Sequence, residues 1–304
     1  MFVVAALYKF ISLSSECVEA LSLKLKALTT EKDISGTLLL ATEGINGTVA
    51  GSREAIDALK ALFISENIFT GMEYKESSAS NNPFHRMKVK IKSEIVTLGQ
   101  PDARPSEIAG TYVNPEQWNS LLNDPEILVL DVRNDYEVEL GTFKNSLNPK
   151  TTSFREFPRF VSENLDINQH KKIAMSCTGG IRCEKASSYM KKAGFSEVYH
   201  LKGGILKYLE EIPAEQSLFE GECFVFDNRV SVAHGLKPGN FDLCHGCGFP
   251  ITNEDQNSQN FQKGVCCPRC FDKRTKKQKA SAKDRQKQME LAKSQGRKHL
   301  GARL

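Results

Sequence analysis

The stretch AMSCTGGIRCEKA, from Ala174 to Ala186, joins an apolar strand pattern to a cysteine, two glycines, an arginine and the start of a helix. The strand pattern ends at Cys177. Glycine-rich loops between a strand and a helix bind anions, because backbone amides and the positive end of the helix dipole point at the bound group. The stretch therefore predicts chemistry at the sulfur of Cys177.

Two further apolar runs flank this stretch, EILVLDVR before it and SEVYHLKGG after it. Helical patterns separate the runs, and strands that alternate with helices predict a mostly parallel sheet with helices on both faces. Ligands of such sheets bind beyond the carboxyl ends of the strands, which is where Cys177 falls. We assign this α/β domain to residues 112–217, after a linker that begins with PDARPSEIAGTYVNPEQW.

The loop residues have predicted roles around the sulfur. Backbone amides can curl around the Cys177 sulfur and favour its thiolate form. Arg182 would be the fixed cation of this cradle. Gly179 and Gly180 would allow the tight curl. The amides in question belong to Thr178, Gly179, Gly180, Ile181, Arg182 and Cys183.

Three neighbouring residues have less certain roles. Cys183 could resolve a sulfenate or persulfide on Cys177, or it could be a buried cysteine that never reacts. Asp131 and Arg133 end the preceding strand pattern. We interpret them mainly as a charged pair that braces the active loop, and a direct catalytic role is the alternative.

The central domain resembles the rhodanese fold in three segments: LDVRNDYEVELGTFKNSLN, CTGGIRCEKASSYMKKAGFSEVYHL and LKGGILKYLE. The shared features are the Asp-x-Arg strand end, the cysteine loop and the Gly-Gly before the last helix. The loop from Cys177 to Arg182 has the length found in sulfur-handling rhodaneses, whereas the similar phosphatase loops are longer by one residue. The resemblance thus disfavours phosphatase and arsenate chemistry.

Residues 1–98 show the order strand, helix, two strands, helix, strand, with the last strand in MKVKIKSEIVTLG. This order predicts a ferredoxin-like, acylphosphatase-like βαββαβ domain. The turn EGINGT lies between its middle strands. Gly44 and Gly47 could expose backbone amides for function, and a tight hairpin turn is the alternative.

Five of the nine cysteines lie between Cys244 and Cys270, which indicates metal binding in a reducing cytoplasm rather than a secreted disulfide framework. The motifs CHGC and CPRC are separated by nineteen residues, a spacing that suits structural Zn²⁺ in residues 218–270. The predicted ligands are Cys244, Cys247, Cys267 and Cys270. His245 and Cys266 are spare donors that could replace one of them.

Residues 271–304 carry twelve Lys or Arg and three Asp or Glu, a net charge of +9 that leaves −5 for the preceding 270 residues. Such a basic tail predicts binding to a polyanion, most often nucleic acid. A solvated, disordered end is the alternative, because the tail lacks a continuous apolar stripe. No stretch approaches the roughly 18 uncharged apolar residues that span a bilayer, so no membrane partner is expected.

Four features in order resemble the bacterial tRNA uridine hydroxylase family of rhodanese-like proteins: TEGINGTV, TSFREFPRF, CTGGIRCEKA, and a repeated Cys-x-x-Cys pair before a basic end. The resemblance spans nearly the whole chain. It implies an oxidoreductase that converts the wobble uridine, in the tRNA anticodon loop, to 5-hydroxyuridine with molecular oxygen as co-substrate.

No Rossmann fingerprint, histidine–carboxylate iron triad or haem-type motif is visible in the sequence, so neither NAD, flavin nor iron is predicted. An oxygen-dependent enzyme of this kind needs a substrate that becomes electron-rich. We therefore expect the Cys177 thiolate to add to C6 of uracil and create an enolate that meets oxygen at C5, with Arg182 or loop amides stabilising the charge.

The implied RNA contacts fall in two places. Phe154, Arg155 and Phe157 are candidates for stacking near the site, with ordinary packing as the alternative. The phosphates would be bound by Lys273, Arg274, Lys276, Lys277 and Lys279.

Two other functions compete with hydroxylation. A persulfide sulfurtransferase that delivers sulfur to tRNA or to a partner protein would also need Cys177. A non-enzymatic RNA-binding or assembly factor would use the rhodanese unit as a scaffold, which the intact loop from Cys177 to Arg182 argues against.

Overall fold

A computed structural model describes residues 1–295 of the chain. The fold is mixed α/β and divides into two compact units. The first consists of Met1–Cys223 and His234–Leu236, and the second of Phe224–Ala233 and the described residues from Lys237 onward. In the described part, no helix is both long enough and apolar enough to span a bilayer.

The amino-terminal domain is an acylphosphatase-like sandwich of one sheet and two helices. Its sheet has the order β4-β1-β3-β2-β5, and the first four strands show the antiparallel ferredoxin-like arrangement. Its core, which includes Leu25, Leu38 and Phe63, lies between the two helices and one sheet face. The elements are β1 (Phe2–Phe10), α1 (Ser15–Glu31), β2 (Ser35–Ala41), β3 (Gly44–Gly51), α2 (Arg53–Ser65), β4 (Glu73–Ala79) and β5 (Met87–Ile91).

The last strand of this domain differs from the prediction. The sequence pattern placed it in residues 87–99, but the strand that completes the ferredoxin-like order is β4, Glu73–Ala79. Its sequence EYKESSA has no apolar alternation, because it is an edge strand whose side chains are at most partly buried. Met87–Ile91 forms a fifth strand that pairs in parallel with β2, and residues 92–99 are not in a strand.

The segment EGINGT is mostly strand: the turn is formed by Thr42 and Glu43, and the two glycines follow it in β3. Gly44 and Gly47 lie inside β3, paired with β1 on one side and with β2 on the other. At Gly44, φ is +142°, and a Cβ would overlap the carbonyl oxygen of Lys9. Glycine is required here because two backbones approach closely.

The rhodanese domain has a four-stranded parallel sheet of order β6-β10-β9-β7, as the alternation of strands and helices predicted. The central strand β9 ends one residue before Cys177. The elements are β6 (Thr111–Val113), α3 (Pro115–Leu122), β7 (Ile127–Asp131), α4 (Asp135–Val138), β8 (Gly141–Phe143), α5 (Phe157–Asn164), β9 (Lys172–Ser176), α6 (Ile181–Lys192), β10 (Glu197–Leu201), α7 (Gly204–Glu211) and β11 (Phe219–Gly221).

Both ends of this domain differ from the sequence assignment. The segment interpreted as a linker contains the edge strand β6 and the first half of α3. Residues 219–221, assigned from sequence to the cysteine-rich region, form β11 and pair antiparallel with β8. Short strands such as these carry too few residues to show a periodic pattern.

A buried charge cluster joins the two domains of the first unit. Lys185 on α6 is 1% exposed, and its ammonium contacts Glu43 at 2.7 Å and Glu94 at 2.6 Å. Glu43 lies at the β2–β3 turn and also accepts a hydrogen bond from the amide of Ile95 at 2.7 Å. The helix that follows the cysteine loop is thus tied to the amino-terminal domain.

The second unit contains short strands, a cysteine cluster and one long helix. Its core includes Ile251, Val265 and Ala282. Most of the basic tail forms α9, with Ala282 buried, and residues 296–304 of the predicted tail lie outside the described residues. The remaining elements are β12 (Cys223–Phe224) at the boundary, β13 (Ser231–Val232), β14 (Asp242–Leu243), β15 (Pro250–Ile251), α8 (Asn253–Asn257) and α9 (Lys276–Ser294).

Candidate active site

Cys177 lies between the end of β9 and the start of α6, at the carboxyl edge of the parallel sheet. Its side chain is fully buried, and the amide of Gly180 donates a hydrogen bond to its sulfur at 3.2 Å. The amino end of α6 adds positive potential at the same place. Local chain geometry thus surrounds the sulfur with groups that favour negative charge.

Gly180 is the glycine that the curl requires. Its φ is +101°, and a Cβ would lie 3.0 Å from the hydroxyl oxygen of Tyr8. A Cβ at Gly179 would have no heavy atom within 4 Å. The predicted conformational role therefore falls on Gly180, whereas Gly179 borders open space.

The Gly-Gly turn before α7 fits directly against the cysteine loop. At Gly204, φ is +68°, and a Cβ would lie 2.5 Å from the carbonyl oxygen of Cys177. The amide of Ile205 donates to that same oxygen at 2.9 Å. The loop is therefore held from two sides by backbone, which fixes its shape before any ligand arrives.

The environment of Cys177 favours its thiolate. Burial alone would raise the pKa of this thiol. Four neighbouring groups have the opposite effect and lower the pKa to about 6: the Cys183 thiol, the charge of Arg182, and the amides of Cys183 and Gly180. A thiol with this pKa is mostly ionised at neutral pH.

Cys183 is a neutral thiol in this arrangement. It is fully buried, and burial followed by the nearby Cys177 sulfur raises its pKa well above the ordinary value. It acts here as a hydrogen-bond partner of the Cys177 sulfur. Its role as a resolving cysteine stays a prediction.

Arg182 is paired with a buried carboxylate. Its guanidinium donates to Glu137 at 2.6 and 2.7 Å and to the Thr178 hydroxyl at 3.2 Å. The sequence predicts Arg182 as the fixed cation of the cradle, and these contacts show which side chains hold the guanidinium in place. The influence of Arg182 on the Cys177 sulfur is the effect of its charge.

Glu137 is a site residue that the sequence analysis missed. It lies on α4, is 0% exposed, and also accepts a hydrogen bond from the amide of Asn134 at 3.0 Å. The available signal was RNDYE directly after a strand, because Asn followed three residues later by Glu marks a helix start. The same carboxylate that caps α4 holds Arg182.

We expect Glu137→Gln to destabilise the first unit by roughly 3 kcal/mol, because it leaves the Arg182 charge buried without its partner. The matched control is Glu126→Gln. Glu126 also pairs at 2.6 Å with a cation, Lys172, but is 71% exposed, so its loss should cost less than about 1 kcal/mol. Urea unfolding followed by circular dichroism measures both, and equal midpoints for the two variants would contradict the assigned role.

Asp131 and Arg133 form a fully buried ion pair at 2.6 Å. Arg133 also donates to the carbonyl oxygens of Gly141, at 2.5 Å, and Glu137, at 3.3 Å. The Thr142 hydroxyl donates to Asp131 at 2.7 Å. The pair thus connects the end of β7 with α4 and β8, which positions Glu137 beneath the cysteine loop.

The aromatic residues suggested for stacking belong to the core. Phe154 is 7% exposed and Phe157 is 1% exposed, and their rings stack on each other with centroids 6.1 Å apart. Both pack with the core residues of the rhodanese domain. Ordinary packing, the alternative considered from sequence, therefore explains these two residues, whereas Arg155 is exposed.

The four predicted metal ligands converge in the second unit. The sulfur atoms of Cys244, Cys247, Cys267 and Cys270 all lie within 4.8 Å of one another. Three of the sulfur–sulfur distances are 3.8, 3.9 and 3.9 Å. A tetrahedral site with metal–sulfur bonds of about 2.3 Å requires sulfur atoms about 3.8 Å apart, so the cluster fits such an ion.

The two spare donors are outside this group in the described residues. The sulfur of Cys266 points instead to the carbonyl oxygen of Asn260, at 3.8 Å. His245 is separated from the group although it follows Cys244 directly. The four-cysteine set therefore needs neither substitute.

The basic residues of the tail are not equivalent. Lys273, Lys276 and Lys277 are exposed. Arg274 donates to the carbonyl oxygens of Gly246 and Gln278, so it packs against the CHGC motif. The Lys279 ammonium lies 3.7 Å from the centroid of the Phe271 ring.

The fold and the cysteine loop define a rhodanese-like protein with an added amino-terminal domain. Residues 2–95 match the family described as UPF0176 acylphosphatase like domain, and residues 114–211 match the Rhodanese-like domain family. The chain is 55% identical over 302 residues to a tRNA uridine(34) hydroxylase from Teredinibacter turnerae, covering 99% of this chain and 94% of that protein. The chain belongs to the tRNA uridine(34) hydroxylase family.

Solved structures with partial similarity include two rhodanese-type proteins. A rhodanese-related protein from Thermoplasma volcanium is 26% identical, covering 33% of this chain and 92% of that chain, with a TM-score of 0.28. A rhodanese-like domain protein from Staphylococcus aureus is 21% identical, covering 32% of this chain and 90% of that chain, with a TM-score of 0.28.

Proposed function

We propose that this protein is a cytoplasmic oxidoreductase that hydroxylates the wobble uridine of tRNA at C5, with molecular oxygen as co-substrate and Cys177 as the nucleophile. The buried thiolate of Cys177 carries the proposal, because a nucleophile of lowered pKa is what addition to a uracil ring needs. The relative of 55% identity, named as a tRNA uridine(34) hydroxylase, supports the substrate and the position.

The proposed reaction begins when the Cys177 thiolate forms a bond to C6 and the π electrons of C5=C6 move toward C5 and the adjoining carbonyl. The resulting carbanion combines with oxygen and takes up a proton to give a C5 hydroperoxide. Two molecules of a cellular thiol reduce the O–O bond, which yields the C5 hydroxyl, water and a disulfide. Loss of the C5 proton then expels Cys177 and restores the double bond.

The wobble base suits this site because it lies in a single-stranded loop. It can be turned out of its stack at small cost and inserted into a pocket. Cys177 is fully buried, so the reaction also requires the base to displace protein atoms above the sulfur. Of the five tail residues predicted to bind phosphates, Lys273, Lys276 and Lys277 are exposed, which supports a role in phosphate binding.

We also propose that the four-cysteine cluster holds Zn²⁺. Cysteine thiolates in a tetrahedral set favour this ion. Four protein ligands leave no open position, so the ion would supply folding stability to the second unit and take no part in the reaction.

Incubation of purified protein and unmodified tRNA under isotopically heavy oxygen, with a thiol reductant, tests the function. Nucleoside mass spectrometry should detect 5-hydroxyuridine that carries one heavy oxygen atom. In a parallel incubation with thiosulfate in place of the reductant, transfer of its sulfane sulfur to tRNA with release of sulfite would establish the sulfurtransferase alternative. Binding of tRNA without any change of mass would establish the non-enzymatic alternative.

We expect tRNA affinity to depend on the tail through its charge. Replacing Lys273, Lys276 and Lys277 by Gln should lower the slope of log affinity against log salt by about 2, because each single-strand phosphate contact contributes about 0.7. Filter binding between low and physiological salt measures this slope. The same triple change at Lys24 and Lys26 on α1 and at Lys32, which follows the end of α1, is the matched control. Equal slopes for the two triple variants would exclude the tail as the phosphate-binding element.

A further inference from the structure

The sheet of the amino-terminal domain presents one face to its own helices and the other to the cysteine loop. On β1, Ala5 and Leu7 pack in the core beneath the helices. Tyr8 and Phe10 belong to a separate apolar cluster that packs against Ile181 at the start of α6. Strand alternation thus directs Tyr8 toward the loop that holds Cys177.

Lys75 lies on the same sheet face as Tyr8. It is paired with Ala6, two residues before Tyr8, across the β1–β4 ladder. Directly opposite residues share a face, and so do residues two apart on one strand. The Lys75 ammonium donates to the carbonyl oxygen of Gly203, in the Gly-Gly turn that holds the cysteine loop.

The hydroxyl of Tyr8 is buried and has no well-formed hydrogen bond in the described residues, although the carboxyl of Glu184 lies close to it. Tyr8 is 6% exposed, and its hydroxyl makes no hydrogen bond of normal geometry within the described residues. It lies near enough to Glu184 to influence the pKa of that carboxyl. A buried donor without a well-formed hydrogen bond costs stability, so such a group points to a ligand that completes it.

The ammonium of Lys75 is unusual for a surface strand. Burial, followed by the charges around it, lowers its pKa to about 8. The charged groups that face it are Glu73 on its own strand, Lys207 and Glu210 on α7, and Cys177. A lysine cation and a cysteine thiolate are thus close enough to affect each other, although they come from different domains.

We propose that Lys75 and Tyr8 bind the pyrimidine carbonyl oxygen that is conjugated with the C5–C6 bond. The inference rests on the proposed function. When the Cys177 sulfur bonds to C6, electron density moves to this oxygen. The Lys75 ammonium and the Tyr8 hydroxyl would stabilise the charge as hydrogen-bond donors, and Lys75 keeps its proton. The amino-terminal domain is therefore part of the reaction site.

This assignment also gives the oxyanion a partner that Arg182 does not offer. Two donors of Arg182 are committed to Glu137, and separating them would leave that carboxylate buried without its partner. Lys75 donates to the Gly203 carbonyl and can exchange this one bond for a bond to a substrate oxygen. Such an exchange keeps the number of hydrogen bonds constant.

The test measures two rates in four variants. The first is the rate of adduct formation, without oxygen, with tRNA that contains 5-fluorouridine. The second is the rate of 5-hydroxyuridine formation under oxygen. Lys75→Met should slow both by about 100-fold, the cost of removing one donor from an oxyanion site. Tyr8→Phe should slow both by about tenfold while its Tm stays nearly unchanged, because no well-formed hydrogen bond of the free protein is lost. Lys75→Arg should recover most of the loss.

The matched control is Lys90→Met, which removes an exposed lysine from β5 of the same sheet. It should leave both rates within about twofold of those of the unaltered protein. The loss of one charge at the edge of an interface mainly changes the association rate constant. Affinity for unmodified tRNA should be the same for Lys75→Met and Lys90→Met.

The pH profile of adduct formation separates a direct role from a structural one. The rate should rise with pH as Cys177 deprotonates near 6 and fall as Lys75 loses its proton near 8. The falling limb should disappear in Lys75→Met, where no cation is left to titrate, and move to higher pH in Lys75→Arg.

Wild-type rates in both Lys75→Met and Tyr8→Phe would overturn this inference and leave the proposed function intact. Absence of 5-hydroxyuridine with the unaltered protein would instead refute the proposed function itself. If Lys75→Met does not fold, the rates of Tyr8→Phe and the pH profile of Lys75→Arg test the inference instead.

Discussion

Protein in which Ser replaces Cys177 should form at least about 10³-fold less 5-hydroxyuridine than the unaltered protein, because a serine hydroxyl is not ionised at neutral pH. The loop that lowers the pKa of Cys177 to about 6 provides one ionised sulfur and no base that could activate an alcohol in its place. Nucleoside mass spectrometry of tRNA after single-turnover incubation measures the loss.

The control for this change is Cys17→Ser. Cys17 is an exposed thiol on α1 of the same unit, so its replacement should leave product formation within about twofold. The anaerobic adduct with 5-fluorouridine tRNA should form with Cys17→Ser and be absent with Cys177→Ser. Product formation by Cys177→Ser at more than a tenth of the normal rate would rule out covalent addition by this residue.

Replacing Cys267 by Ser should reduce bound zinc from one ion per chain to nearly none and unfold the cysteine cluster of the second unit. Structural zinc supplies about 10 to 16 kcal/mol of binding free energy in zinc-finger peptides, and much of that is folding energy. The cluster buries few apolar side chains besides its cysteines, so we expect little order to remain without the ion. Metal analysis and protease resistance of residues 237–295 measure the two effects.

The adjacent residue gives a strict control for this prediction. Cys266 is as buried as Cys267, each being 1% exposed, but its sulfur is not among the four that converge. Cys266→Ser should therefore retain one zinc ion and protease resistance. Loss of zinc in both variants, or in neither, would contradict the four-cysteine assignment.

The elements that the sequence predicted well are those with many residues and a single buried face. Long patterns such as α1 and α2 identified the amino-terminal domain, and apolar runs identified β7, β9 and β10. The spacing of CHGC and CPRC was informative because two Cys-x-x-Cys pairs at this separation are typical of four sulfur atoms that converge in a tetrahedral set. Each of these signals is local, so no tertiary contact was needed to detect it.

The parts that the sequence did not reveal depend on contacts between distant residues. Glu137 becomes a site residue only because Arg182, 45 positions later, lies against it. Lys75 lies on a polar edge strand, β4, whose sequence resembles a surface loop. Its place beside the cysteine loop follows from the packing of two domains, which periodicity does not encode.

The contact of Lys185 with Glu43 and Glu94 limits which substitutions the two domains can accept. Lys185 lies two residues after Cys183, whereas both carboxylates belong to the sheet side of the amino-terminal domain. Loss of either acid weakens the docking of the helix that begins at the reactive sulfur, and loss of the lysine leaves two acids facing each other. We therefore expect substitutions at this junction to be tolerated better in combination than singly, which would tie sequence change in one domain to sequence change in the other.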